Sequence, residues 1–205
     1  MASVLVTGFG PFPGAPVNPT QQIVRNLART KCLAGHTIAA HVFETSYAAV
    51  DRDLPRLIAR HHPRALVMFS LAANTPHIRI ETMAHNEITQ QQADVTGVKP
   101  RNSAIRPSRT ASRRGRAPFA QLVNAARVAG FKAQISQDPG RYVCNYVYWR
   151  ATEAAQKAGG PKQVVFVHVP ELRSGKNAGG LVGLHLLVRA AQRIVAGVIN
   201  GLPAR

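Results

Sequence analysis

Short, almost wholly apolar runs recur along this chain, and stretches with the spacing of helices follow them. Residues 3–9, SVLVTGF, read as a buried strand. Residues 18–28, NPTQQIVRNLA, then open a helix with Asn18 as N-cap and Pro19 at the first helical position. Residues 36–44 alternate as a strand, and residues 46–61 keep helical spacing despite Pro55. After the break at Pro63 comes a further buried strand, residues 64–72. This alternation predicts layers of helix packed on sheet, an α/β domain.

The second half continues the pattern. Residues 77–88, HIRIETMAHNEI, alternate strongly enough to predict one strand. Ile78 and Ile80 then share one face, and Arg79 and Glu81 the other. Residues 99–116 carry seven basic side chains, two prolines and no acid, and predict a mobile surface loop. A helix over 118–130 ends at Gly130, a short strand covers 131–136, and a helix over 141–158 carries Cys144 near its start. A central strand over 163–169 ends at His168 and Pro170. Apolar residues at 184, 187, 188, 191, 194, 195 and 198 predict a last helix packed on the sheet. No internal repeat or domain boundary emerges, so residues 1–205 are expected to form a single domain.

Composition narrows the function classes. Hydrophobic residues make up 45% of the chain, enough for a sizeable core, and no apolar run approaches the ~20 residues of a membrane span. The N-terminus lacks a basic start before a long apolar stretch, so no leader is expected. Two cysteines, Cys32 and Cys144, make neither a disulfide framework nor a zinc motif, which favours a cytoplasmic setting. Lys and Arg number 26 against 9 acidic residues, a formal net charge of +17. That surface predicts weak, non-specific polyanion binding. The basic segment lacks the interleaved aromatics of a base-stacking module.

Three ionisable groups occupy informative places. Cys144 follows Gly140 by four residues, in the first turn of its predicted helix. Unpaired N–H groups and the helix dipole favour a thiolate there and can hold an oxyanion. His168 sits at the carboxyl end of a buried strand, where active sites of α/β sheets gather. Glu81 lies on a strand face opposite two isoleucines. A thiol, a base and a carboxylate to orient the base would make a nucleophilic triad. Against this, a free cysteine in apolar company is ordinarily a core residue, and seven other histidines compete for the base.

Four blocks bring in a resemblance. VLVTGFGPFPGAPVNPTQQIV, IETMAHNEI, SQDPGRYVCNYVYW and VVFVHVP resemble, in order and spacing, segments of pyroglutamyl peptidase I, the pyrrolidone-carboxylate peptidases. The resemblance covers residues 3–170. It implies a three-layer α/β/α sandwich around a twisted mixed sheet. It also implies a cysteine exopeptidase acting on pyroglutamyl peptides, with Cys144 as nucleophile, His168 as base and Glu81 as its orienting carboxylate. It further implies that Phe9 and Phe12 flank the lactam ring (ordinary core packing being the other reading) and that Val143, beside the nucleophile, contributes to the substrate site. No metal or organic cofactor and no membrane partner are expected, and a homo-oligomer is compatible with the family.

Departures from the family's pattern bear on substrate. Ser70-Leu71-Ala72-Ala73-Asn74-Thr75 stands where many bacterial members have Gly-Gln-Ala-Gly-Gly-Arg. Leu71 therefore replaces a polar glutamine. Gln91 stands ten residues after the glutamate, where an arginine is common, and Asp138-Pro139 where Thr-Ala is common. His85-Asn86 resembles animal members. The alternatives from other classes are a weak or inactive homologue that binds a lactam, and a nucleic-acid-binding protein using the basic surface.

Overall fold

The computed structural model describes residues 3–12, 14–172 and 183–203. In chain order the elements are β1 (Val4–Phe9), α1 (Pro19–Thr30), β2 (Cys32–Leu33), β3 (His36–Phe43), α2 (Tyr47–His61), β4 (Ala65–Leu71) and β5 (Ile78–Glu81). There follow β6 (Met83–His85), β7 (Ser112–Arg114), α3 (Phe119–Val128), β8 (Ala133–Ser136), α4 (Val143–Ala155), β9 (Gln163–Val169) and α5 (Leu184–Asn200). Seven strands make the main sheet in the order β2-β3-β1-β4-β9-β5-β8. β3, β1, β4 and β9 run parallel, β5 is antiparallel to β9, and β8 is parallel to β5. The sheet is therefore mixed.

Burial follows the alternation. On one face, β-strand residues such as Val67, Phe69, Ile80 and Val167 pack with Ile23 and Leu27 of α1, Leu122 of α3 and Ile194 of α5. On the other, Leu66, Met68 and Phe166 pack with Val50 and Leu54 of α2 and with Val147 and Trp149 of α4. The result is a three-layer α/β/α sandwich.

Local chemistry sets the helix ends. Asn18 is extended and its side chain accepts from Thr20 N at 3.1 Å, with Pro19 following, as expected. Ser46 caps α2 through Ala49 N at 3.2 Å. Pro55 lies on the exposed side of α2, and its missing N–H removes one helix hydrogen bond there. Gly8 allows α1 to close on β1: a Cβ there would lie 2.8 Å from Val24 Cγ2 and 2.9 Å from Thr20 O.

Two sequence expectations are corrected. Residues 77–88 are not one strand. Both the N–H and the hydroxyl of Thr82 donate to Ser136 O, at 2.8 and 3.1 Å, and the chain then leaves the main sheet. Residues Met83–His85 pair instead with Ser112–Arg114, antiparallel, in a small second sheet. Alternation runs unbroken through this step because both strands bury one face, so periodicity alone hides the change of partner. The end of the basic segment is consequently β7, not free loop. It is tied down further by Arg116 pairing with Val164 and by Arg106 N donating to Asn86 Oδ1 at 2.8 Å.

Candidate active site

The site is built on adjacent rows of the sheet. Register places Ser70 of β4 beside His168 of β9, and His168 beside Arg79 of β5. Paired residues project to the same face, so these three side chains line up toward α4. One row below stand Met68, Phe166 and Glu81. The antiparallel turn of β5 against β9 is what brings Glu81 under the imidazole.

Cys144 arrives from above as the second residue of α4. Gly140, at φ +82°, makes the turn before it, and Asp138 Oδ1 accepts from Gly140 N at 3.0 Å. Tyr142 is extended at the N-cap and supplies no side-chain cap. The first bond into the helix runs from Tyr146 N to Tyr142 O at 3.1 Å. The N–H groups of Val143, Cys144 and Asn145 thus have no acceptor within the helix. Cys144 is half-buried, whereas Cys32 is exposed.

Charge and hydrogen bonding converge on the imidazole. His168 Nδ1 donates to Glu81 Oε1 across 2.8 Å. Burial pushes the His168 pKa down, but hydrogen bonds and charge from Cys144 and Glu81 outweigh it, so the group lies above its ordinary value. Burial pushes Glu81 up, and His168, Ser136 and Arg79 together bring it below the ordinary carboxylate range. Glu81 is fully buried, an environment that only such partners make tolerable. Tyr148 OH donates to Glu81 O at 2.8 Å and fixes the strand end.

The residues expected to bind substrate are less uniform. Phe9 and Val143 lie in the apolar cluster on the Cys144 side of the sheet. Phe9 is only 1% exposed and packs against Phe43, with ring centroids 5.8 Å apart, as a core residue does. Phe12 is half-buried in a tight loop with Ala15. Leu71 follows Ser70 on β4 and so turns to the opposite face, paired in register with Val169. Gln91 is exposed and lines an open cavity of about 580 Å³ with Ile88, Thr89, Ser103 and Arg141.

Three site residues were not singled out as functional from sequence. Ser70 Oγ lies 2.9 Å from Cys144 Sγ. Arg79 Nε donates to Glu81 Oε1 at 3.0 Å. Asn145, fully buried, accepts from His85 N at 2.8 Å and donates to His85 O and Glu87 O at 2.8 and 2.7 Å, pinning β6 beneath the nucleophile. Shared alternation with Glu81 already put Arg79 on the right face. Nothing local pointed to Ser70, whose partner is 74 positions away.

Comparison with known proteins gives the family and the fold. The family model described as pyroglutamyl peptidase matches residues 2–198. A pyrrolidone-carboxylate peptidase of Thermococcus kodakarensis is 31% identical over 167 residues, 82% of this chain and 80% of that protein. The pyrrolidone-carboxylate peptidase 1 of Ralstonia nicotianae is 33% identical over 172 residues, 84% of this chain and 80% of that protein. Among solved structures, the pyrrolidone carboxyl peptidase of Thermococcus litoralis superposes with a TM-score of 0.88 at 26% identity, covering 98% of this chain and 94% of that one. From its sequence and its fold alike, the chain belongs to the pyroglutamyl peptidase family of hydrolases.

Proposed function

We propose that this protein removes an N-terminal 5-oxoproline from peptides, with Cys144 as nucleophile, His168 as general base and acid, and Glu81 as the carboxylate that orients the imidazole. The observation that carries the assignment is the 2.8 Å bond from His168 Nδ1 to Glu81 Oε1, with the first turn of α4 presenting a thiol to the same imidazole. With Nδ1–H held by Glu81, the Nε2 lone pair is left for the Cys144 proton.

Catalysis then runs through a thioester. His168 takes the proton of Cys144, and the thiolate attacks the carbonyl that joins the pyroglutamyl residue to the peptide. The N–H groups at the start of α4 hold the resulting oxyanion. Collapse breaks the C–N bond as His168 protonates the leaving amine. Water, giving its proton to His168, attacks the thioester and releases 5-oxoproline, and the thiol regains its proton. The Ser70 hydroxyl, donating to the sulfur, stabilises the thiolate before attack. Phe9, Phe12, Val143 and Gln91 belong to the substrate region in this reading, whereas the Leu71 side chain points to the opposite face of the sheet and borders it only through its backbone. Apolar walls suit a flat, uncharged lactam.

The test is release of aminocoumarin from a pyroglutamyl-aminocoumarin substrate. The wild type is expected to turn over and Cys144→Ala is not. Absence of Cys144-dependent release of this acyl group would overturn the proposal. The reading includes a cytoplasmic location, which suits two free thiols. It also includes self-association, checked by sedimentation. The net charge of +17 supports weak polyanion binding that fades with salt. Some of the basic segment is committed elsewhere: Arg106 pairs with Glu153, and Arg113 lies over the Trp149 ring at 4.6 Å. Separately, no helix among the described residues is long and apolar enough to cross a membrane.

A further inference from the structure

A fourth charged group stands inside the triad's hydrogen-bond network. Arg79 is the cross-strand neighbour of His168, and its guanidinium touches three parts of the site at once. Nε donates to Glu81 Oε1 at 3.0 Å, the same oxygen that receives His168 Nδ1. Nη2 lies 3.1 Å from His168 Nδ1 and donates to Asp138 O at 3.2 Å, in the turn that leads to Cys144. The Arg79 side chain is 24% exposed, so its charge is only partly screened by solvent.

Building on the triad assignment above, we propose that Arg79 is a positioning residue that limits how strongly Glu81 stabilises the protonated His168, and thereby sets the pH range over which His168 cycles between base and acid. Three physical reasons lead there. A carboxylate shared between two cations gives each less than it would give one alone. A guanidinium 3.1 Å from Nδ1 repels a positive imidazole, and with Nδ1–H already given to Glu81 it makes no hydrogen bond to the ring that would offset the repulsion. The bond to Asp138 O fixes the guanidinium in that place, so the repulsion is not relieved by swinging away.

The other groups around His168 leave this role open to Arg79 alone among the cations named here. From α4 the imidazole meets Cys144, and Tyr148 lies beyond it, bonded to Glu81 O. From β4 the facing group is the neutral Ser70. On the β8 side Ser136 bears on Glu81, while the Asp138 carboxylate is turned to Gly140 N and Arg141. His85 of β6 is occupied by Gln137 O at 2.7 Å.

The experiment is an NMR titration of the His168 ring in the full chain, assigned by loss of its signal in His168→Gln. It compares wild type, Arg79→Gln and Arg79→Lys, and needs no turnover. It therefore stands apart from any failure of the substrate assignment. Arg79→Gln is expected to raise the His168 titration midpoint by about one pH unit, and Arg79→Lys by much less, because the charge remains. Because His168 must be unprotonated to accept the Cys144 proton, the acidic limb of kcat/KM should move up with it. If Arg79→Gln does not fold, Arg79→Thr, which suits a strand, carries the same test. A neutral variant whose His168 titrates where the wild type does, or a lysine variant that shifts as far as glutamine, would overturn the proposal.

Discussion

Two rows of the sheet, one residue apart on the same three strands, have opposite characters. Phe69, Val167 and Ile80 form one, and all three are completely buried against α1, α3 and α5. Ser70, His168 and Arg79 form the next, on the face toward α4. The first row contributes through area removed from water and has no preferred partner. The second contributes through directed bonds between groups that would each be costly to bury alone. The comparison shows how a catalytic site is accommodated in a packed core. Apolar packing on both faces supplies the stability, and the polar row is confined to the ends of β4 and β9, where the strands give out.

The comparison can be broken at several points. The largest effect is expected from Cys144→Ala and His168→Ala, each lowering turnover by about 10³-fold or more while melting temperature stays near that of the wild type. A collapse of stability instead would place the polar row in the core's accounting. Next, Phe69→Ala should cost about 3–5 kcal/mol in denaturant unfolding. Its folded fraction should leave the His168 titration unmoved, and a shifted titration would show the two faces to be coupled.

Glu81→Gln should reduce kcat/KM by about 10²-fold or more, since the imidazole loses the group that fixes its tautomer. It should also change acid stability in a definite direction. A carboxyl depressed in the folded state contributes stability that is present above its ordinary value near 4.5 and is lost as pH falls through its folded value. The stability gap between wild type and Glu81→Gln should therefore close below that range in pH-dependent melting. For His168, raised above 6.5, the sign reverses: its contribution is complete below that pH and lost as pH rises through the folded value. The smallest effect is expected from Ser70→Ala. Losing one hydrogen bond of about 1 kcal/mol should slow Cys144 alkylation at fixed pH by roughly three- to tenfold. An unchanged alkylation rate would separate Ser70 from the chemistry.

Much of the site was legible before any coordinates. The glycine turn and helical spacing around Cys144 placed the sulfur in the first turn of α4, and alternation placed Arg79 and Glu81 on one face. The helix starts at Asn18 and Ser46 follow from side chains that bond within three residues of themselves. The boundary between β5 and β6 was not legible, because Thr82 hands the chain from one partner to another without interrupting the period. The strand at Ser112–Arg114 was hidden for a related reason: its composition is that of a loop, and it exists through its pairing with β6.

The sequence by itself determined most of the helices and main-sheet strands, the face that side chains take along them, and, through four family-like blocks, that Cys144, His168 and Glu81 are the groups to consider. These are properties of periods, caps and turns, which depend on neighbours a few positions away. Only the tertiary structure decided that β5 runs antiparallel to β9, that Ser70 reaches the sulfur, and that Arg79 stands against both members of the Glu81–His168 pair. Strand order and register arise from contacts between residues tens of positions apart, and no local period records them.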